Sequence, residues 1–216
     1  LEDVVARHEV LRTRYPVGSD GLPFQRILPA GTTVDWAVGT EDDAFGIVSR
    51  GFDVTVEMPI RARIARVGED PVDHVLVLVT HHIASDGESC SVLARDLITA
   101  YVARHDGRAP EWGELALQYA DYTLWQRDQM GDPRDQESVI GRQLAFWRSE
   151  LDGLPDAIEL PTDRPRPRVS SMRSGTVEFV VDGDVARAVE SAARAQGATL
   201  FMAIHAALAV LLARMS

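Results

Sequence analysis

The sequence predicts an α/β fold in which a mixed sheet is covered by helices. Residues 59–67 alternate apolar and polar side chains, residues 74–80 are an almost unbroken apolar run, and residues 89–104 follow with the spacing of a helix packed on a sheet.

From the amino end, residues 1–15 read as a helix, and residues 23–28 and 33–38 as short strands bounded by glycine-containing turns. Residues 42–50 read as a further short helix. Within 59–67, Ile60, Ala62 and Ile64 face one way and Arg61, Arg63 and Ala65 the other, because strand side chains repeat every two residues. That pattern is a half-buried strand with both arginines on one face. Gly68, Glu69, Asp70 and Pro71 make the turn into the apolar strand, which reads as buried on both faces. In the helix after it, Val92, Leu93, Leu97, Ala100 and Tyr101 recur at helical spacing. Tyr119, Tyr122, Trp125 and Trp147 do likewise and are expected to pack in a core. The Pro-rich stretch around Asp163 reads as a rigid connector, and residues 198–216 as an apolar helix whose His205 is expected to be structural.

The 216 residues, 45% hydrophobic and 25% charged, have the composition of an ordinary globular chain. A net charge of -11 argues against binding nucleic acid, whose recognition needs clustered Lys and Arg to neutralise phosphates. The longest apolar run is too short to cross a bilayer, and the amino end lacks the pattern of a signal peptide. The single cysteine, Cys90, has no partner for an internal disulfide. These features point to a reducing cytoplasm, with neither nucleic acid nor membrane as partner. Cys90 is expected to be a small buried hydrophobe rather than a nucleophile. The chain does not begin with Met, and helical patterns run to both of its ends, so it reads as cut from something longer.

Directly after the apolar strand stands His81-His82-Ile83-Ala84-Ser85-Asp86-Gly87. An imidazole with a pKa near about 6.5 can accept a proton or a hydrogen bond at neutral pH, and a loop at a strand end exposes it while the scaffold sets its direction. Asp86 is able to orient the loop through an ion pair with an arginine of the preceding strand, or to begin the next helix as an N-cap. Gly87 permits a sharp turn or close approach of a substrate. Zinc binding is disfavoured, because adjacent histidines in an extended segment point to opposite faces and no further ligand pair is visible.

The pattern His-His-x-x-x-Asp-Gly after a buried strand resembles the signature of condensation domains of nonribosomal peptide synthetases and of chloramphenicol acetyltransferase-like acyltransferases. Residues 7–15, Arg-His-Glu-Val-Leu-Arg-Thr-Arg-Tyr, are similar to the second core motif of condensation domains. Residues 119–126, Tyr-Ala-Asp-Tyr-Thr-Leu-Trp-Gln, are similar to the fourth, and residues 143–167 resemble the crossover into a second lobe. The first core motif and the three last ones are absent.

The resemblance implies a chloramphenicol acetyltransferase-like α+β sandwich, a truncated pseudo-dimer of two lobes. The first lobe spans residues 1–160, the crossover 161–174 and the start of the second lobe 175–216. It implies amide bond formation between a donor thioester and the amine of an acceptor aminoacyl group. Both arrive on the phosphopantetheine arms of peptidyl carrier proteins, beside adenylation domains of adjacent modules, and no cofactor binds directly. The catalytic positions are His82, His81 and Gly87, with His82 as base or as positioning group. Asp86 supports the site, paired with Arg61 or else Arg63, and Arg7, Glu9 and Arg12 hold the first helix to the loop behind it. Asp86-Gly87-Glu88-Ser89 fits condensation better than epimerisation, and the wording around it suggests an L-configured donor. A freestanding acyltransferase with a coenzyme A donor, and a non-catalytic fragment that only docks carrier protein, are the alternatives.

Overall fold

In the computed structural model, which describes residues 1–68, 73–171 and 174–216, the first helix, α1 (Glu2–Arg7), ends well short of Tyr15. His8 takes extended angles, φ -102° and ψ 99°. The Gln118 side chain donates to the Arg7 carbonyl at 3.0 Å and accepts the Glu9 N–H at 3.1 Å, so a distant amide pairs backbone groups on either side of the break. A 3-10 turn (Glu9–Arg12) then leads into β1 (Thr13–Arg14), which pairs antiparallel with β2 (Arg26–Ile27); of the strand expected over 23–28, Pro23 adds only an isolated antiparallel bridge to Val17.

The central sheet is mixed, in the order β3 (Asp35–Gly39), β4 (Ile60–Arg66), β5 (His74–Thr80). β3 runs parallel to β4 and β5 antiparallel, with Ile60 opposite Thr80 and Arg66 opposite His74. Burial reverses the expectation for the two long strands. β4 is central, so Ile60, Arg61 and Ala62 are buried on both faces, whereas β5 pairs only with β4 and stays partly exposed. Gly68 opens the expected turn with φ 70°, and Glu69, Asp70 and Pro71 lie outside the described residues.

Between β3 and β4, α2 (Glu41–Gly46) begins with a capping box. Thr40 accepts from the Asp43 N–H, and the Asp43 carboxylate accepts from the Thr40 N–H. The helix contacts all three strands. On the opposite side, α3 (Gly87–His105) and α1 close the main core, in which Val4, Val5, Leu11, Val34, Met58, Ile60 and Ala100 are buried. Asp96 of α3 lies inside this packing, 4% exposed, and accepts from Arg7 Nε at 2.9 Å, while His8 Nε2 lies 2.8 Å from the same carboxylate. Arg7 also donates to Gly113 O, and Arg12 to Leu28 O and Glu9, which ties the amino-terminal segment down as expected.

Two helices follow, α4 (Tyr119–Met130) and α5 (Val139–Glu150). Tyr119, Tyr122 and Trp125 do not enter the core. Their rings lean on one another along the outside of α4, at centroid distances of 5.9 and 5.8 Å, and Trp125 is 59% exposed. Trp147 is likewise exposed and packs edge-on against Phe146.

Chain contacts divide the molecule into two units, Leu1–Ala145 and Phe146–Ser216. In the second, residues 151–171 and 174–182 carry no helix or strand, and α6 (Gly183–Ala195) packs against α7 (Leu200–Met215). His205 stacks on Phe201 one turn earlier and is exposed. No single helix among the described residues is long and apolar enough to cross a membrane.

Candidate active site

The two-histidine loop is pinned at both ends. At its start, the His81 N–H donates to Pro59 O at 3.0 Å, which fastens it to the residue before β4. Inside it, the Ala84 N–H donates to His81 O at 2.9 Å, and the Ile83 N–H donates to His81 Nδ1 at 2.9 Å. Thr80 Oγ1 and Ser85 Oγ, 2.5 Å apart, close the loop across its base. Because Nδ1 of His81 is an acceptor, the neutral ring carries its proton on Nε2. His81 is therefore committed to the turn. His82 is exposed and, among the described residues, makes no hydrogen bond, so its imidazole is available to a substrate.

Asp86 is the N-cap of α3. Its carboxylate accepts from the Ser89 N–H at 2.9 Å and from Ser89 Oγ at 2.6 Å, and the Asp86 N–H donates to Ser89 Oγ at 3.2 Å. These bonds hold the carboxyl below the usual aspartate range, with the Ser89 hydroxyl contributing most and the charge of His82 least. The ion pair expected between Asp86 and Arg61 or Arg63 is not formed, because the local backbone competes successfully for the carboxylate.

Arg61 is instead saturated elsewhere. Its side chain is 2% exposed and donates to Arg50 O at 2.9 Å, to Gly51 O at 2.8 Å and to Glu57 Oε2 at 2.6 Å. Its guanidinium lies 3.7 Å from the Phe52 ring centroid, and that ring and the His81 imidazole are perpendicular, with centroids 6.0 Å apart at 87°. Arg63 pairs with Asp35 at 2.8 Å, and Arg50 bonds the same carboxylate at 3.0 Å. Burial alone would raise the Asp35 pKa, but Arg63 and Arg50 outweigh it and hold it down. Neither arginine touches Asp86: Arg61 approaches the loop only through Phe52, and Arg63 is engaged by Asp35 and the Ala62 carbonyl.

Gly87 is the first residue of α3, without a positive φ, and a Cβ there would meet nothing within 4 Å. The sharp turn expected of it is absent. What remains is open space over a helix N-terminus, whose first N–H groups lack intrahelical acceptors. Cys90 is exposed rather than buried, its Sγ 3.4 Å from Asp86 O. Periodicity could not reveal Phe52, Glu57, Thr80 or Ser85, since each acts through contacts made by the fold. The one visible hint was Glu57 four residues before Arg61, a spacing that means little outside a helix.

A groove of about 950 Å³ is lined by Trp36, Ala62, Ile64, Leu76, Leu97 and Tyr101 among others, and no residue of the His81–Gly87 loop lines it.

The chain matches the Condensation domain family over residues 1–216. It is 48% identical over 216 residues to a probable nonribosomal peptide synthetase, CymA, of Salinispora arenicola, covering 99% of this chain and 3% of that protein. It is 42% identical to an isonitrile lipopeptide synthase of Mycobacterium tuberculosis, covering 100% of this chain and 9% of that one. Among solved structures it is similar to the X-domain complexed with OxyB from teicoplanin biosynthesis, with 40% identity and a TM-score of 0.86 over 99% of this chain and 47% of that one. The chain therefore spans a small fraction of these synthetases and about half of the solved domain.

Proposed function

The chain belongs to the condensation-domain family of nonribosomal peptide synthetases, with its chloramphenicol acetyltransferase-like fold, and from that premise we propose that it is the histidine-bearing part of a domain that forms peptide bonds. In this reading residues 1–160 are the first lobe, 161–174 the crossover and 175–216 the start of the second lobe. The substrates are a donor acyl or peptidyl thioester and an acceptor aminoacyl group, each on the phosphopantetheine arm of a carrier protein, with adenylation domains as neighbours and the cytoplasm as compartment.

The observation that carries the proposal is the contrast between two adjacent imidazoles. His81 is bound into its own turn, whereas His82 makes no hydrogen bond among the described residues. The acceptor amine attacks the thioester carbonyl, the carbon–sulfur bond of the tetrahedral intermediate breaks, and the amine proton ends on the departing thiol. An α-amine has a pKa of about 8, and aminolysis of a thioester runs downhill, so little base strength is needed. His82 therefore acts mainly by accepting a hydrogen bond from the amine and placing it. The Gly87 N–H, at the uncrowded start of α3, is suited to the developing oxyanion. Asp86 sets the first turn of α3, Arg61 bears on the loop through Phe52, and Arg63 holds Asp35 on the neighbouring strand.

Mass spectrometry of the parent domain with loaded donor and acceptor carrier proteins tests this. Amide formation from carrier-bound donors supports it, and acylation of a free acceptor from coenzyme A alone replaces it with an acyltransferase. A docking role without turnover has one observation in its favour, the solved complex of the similar X-domain with OxyB. No amide with any carrier-bound pair, together with a stable complex with a partner protein, would establish that reading.

A further inference from the structure

We propose that Phe52 is a positioning residue for the histidine pair, holding the His81 ring so that His82 is presented to the amine. The inference deepens the peptide-bond-forming reading and rests on it for its kinetic arm. Phe52 occupies a loop (residues 50–57) that is clamped on every side. Arg61 donates to the carbonyls of Arg50 and Gly51, immediately before Phe52, and lays its guanidinium on the ring face at 3.7 Å. After Phe52, the Asp53 N–H donates to Glu57 Oε2 at 3.1 Å, and the Tyr15 N–H to Val54 O at 2.8 Å.

The clamped ring then meets His81 perpendicular, at 87° and 6.0 Å. That contact does what a hydrocarbon of similar size cannot. An aromatic face attracts the buried cation, and an aromatic ring and an imidazole prefer the edge-to-face arrangement. The imidazole is gripped from a second direction by the Ile83 N–H on Nδ1. With the ring fixed on both counts, the backbone from His81 to Ile83 has one conformation, and the direction of His82 follows. The buried Arg61 thus reaches the motif through Phe52 rather than through Asp86.

The test compares Phe52→Leu with Phe52→Tyr, reading His81 by long-range proton–nitrogen NMR in the full chain and amide formation in the parent domain. In wild type, His81 is in the Nε2–H form and its ring protons carry the Phe52 ring-current shift. In Phe52→Leu that shift disappears and the second tautomer appears, kcat falls about tenfold, and KM for the acceptor carrier changes by less than about twofold. Phe52→Tyr retains the NMR signature and a rate within about threefold of wild type. A His81 that keeps its Nε2–H tautomer in Phe52→Leu, or a Tyr variant as slow as the Leu variant, would overturn the proposal. The NMR arm needs no turnover. If wild type forms no amide, the reaction has been misassigned, and the His81 signals still decide whether Phe52 positions the pair.

Discussion

Asp86 and Asp96 are both acidic residues at or near helix α3, and their surroundings give them opposite tasks. Asp86 is exposed and caps a helix; Asp96 is buried and gathers Arg7, His8 and Arg95. Asp86→Asn should keep the cap, because an amide oxygen accepts the same N–H, whereas Asp86→Ala should speed hydrogen exchange over the first turn of α3 with little change elsewhere. Asp96→Ala leaves a buried guanidinium without its carboxylate and should lower stability by about 3 kcal/mol in urea denaturation. Burial pushes the Asp96 pKa up, but the hydrogen bonds from His8, Arg95 and Arg7 outweigh it and the carboxyl titrates below its ordinary range. A carboxylate held low stabilises the fold above the unfolded value of about 3.9 and loses that contribution as pH falls through the folded value. Acid titration should therefore loosen α1 from α3 below about pH 4 in wild type, and Asp96→Asn should flatten that dependence. The histidine pair was legible because a strand end delivers it. The N-cap role of Asp86 was legible too, whereas the failure of its pairing with an arginine was not, since two arginines on the right face say nothing of the carbonyls, Glu57 and Asp35 that engage them first.

Element types were readable from periodicity, but their ends and burial were settled by neighbours. The helix expected over 1–15 is cut at His8 because Gln118, more than a hundred residues later, pairs the backbone on both sides of the break. A 2-residue β1 then replaces the last turn. The two long strands were recognised, yet their burial was exchanged, since the pattern of a strand does not tell how many partners it has. Ile60, 1% exposed at the start of the central strand, should cost about 3 kcal/mol when replaced by alanine. A Cβ at Gly141 would stand 2.0 Å from the Asp135 carbonyl oxygen, a backbone atom unable to swing aside. Gly141→Ala should therefore displace the segment before α5, with amide hydrogen exchange speeding up there and not in α3.

Across the whole chain, the mixed α/β class and the ordered family segments were legible, because they depend on local patterns that survive in any fragment. The exposed rings of α4 and the exposed Cys90 were not, since side-chain burial depends on what packs over an element and not on its own spacing. Between α5 and α6, the described residues 151–171 and 174–182 carry no helix or strand, and limited proteolysis should begin there. Trypsin should cut first after Arg168 or Arg173, because Arg164 and Arg166 each precede a proline, and should leave the amino-terminal unit intact. The central claim, that His82 is the free imidazole which places the amine, is tested most directly by single-turnover amide formation in the parent domain with His82→Ala. The account predicts a rate at least about a hundredfold below wild type with folding and carrier binding preserved. A rate within about threefold of wild type would contradict it.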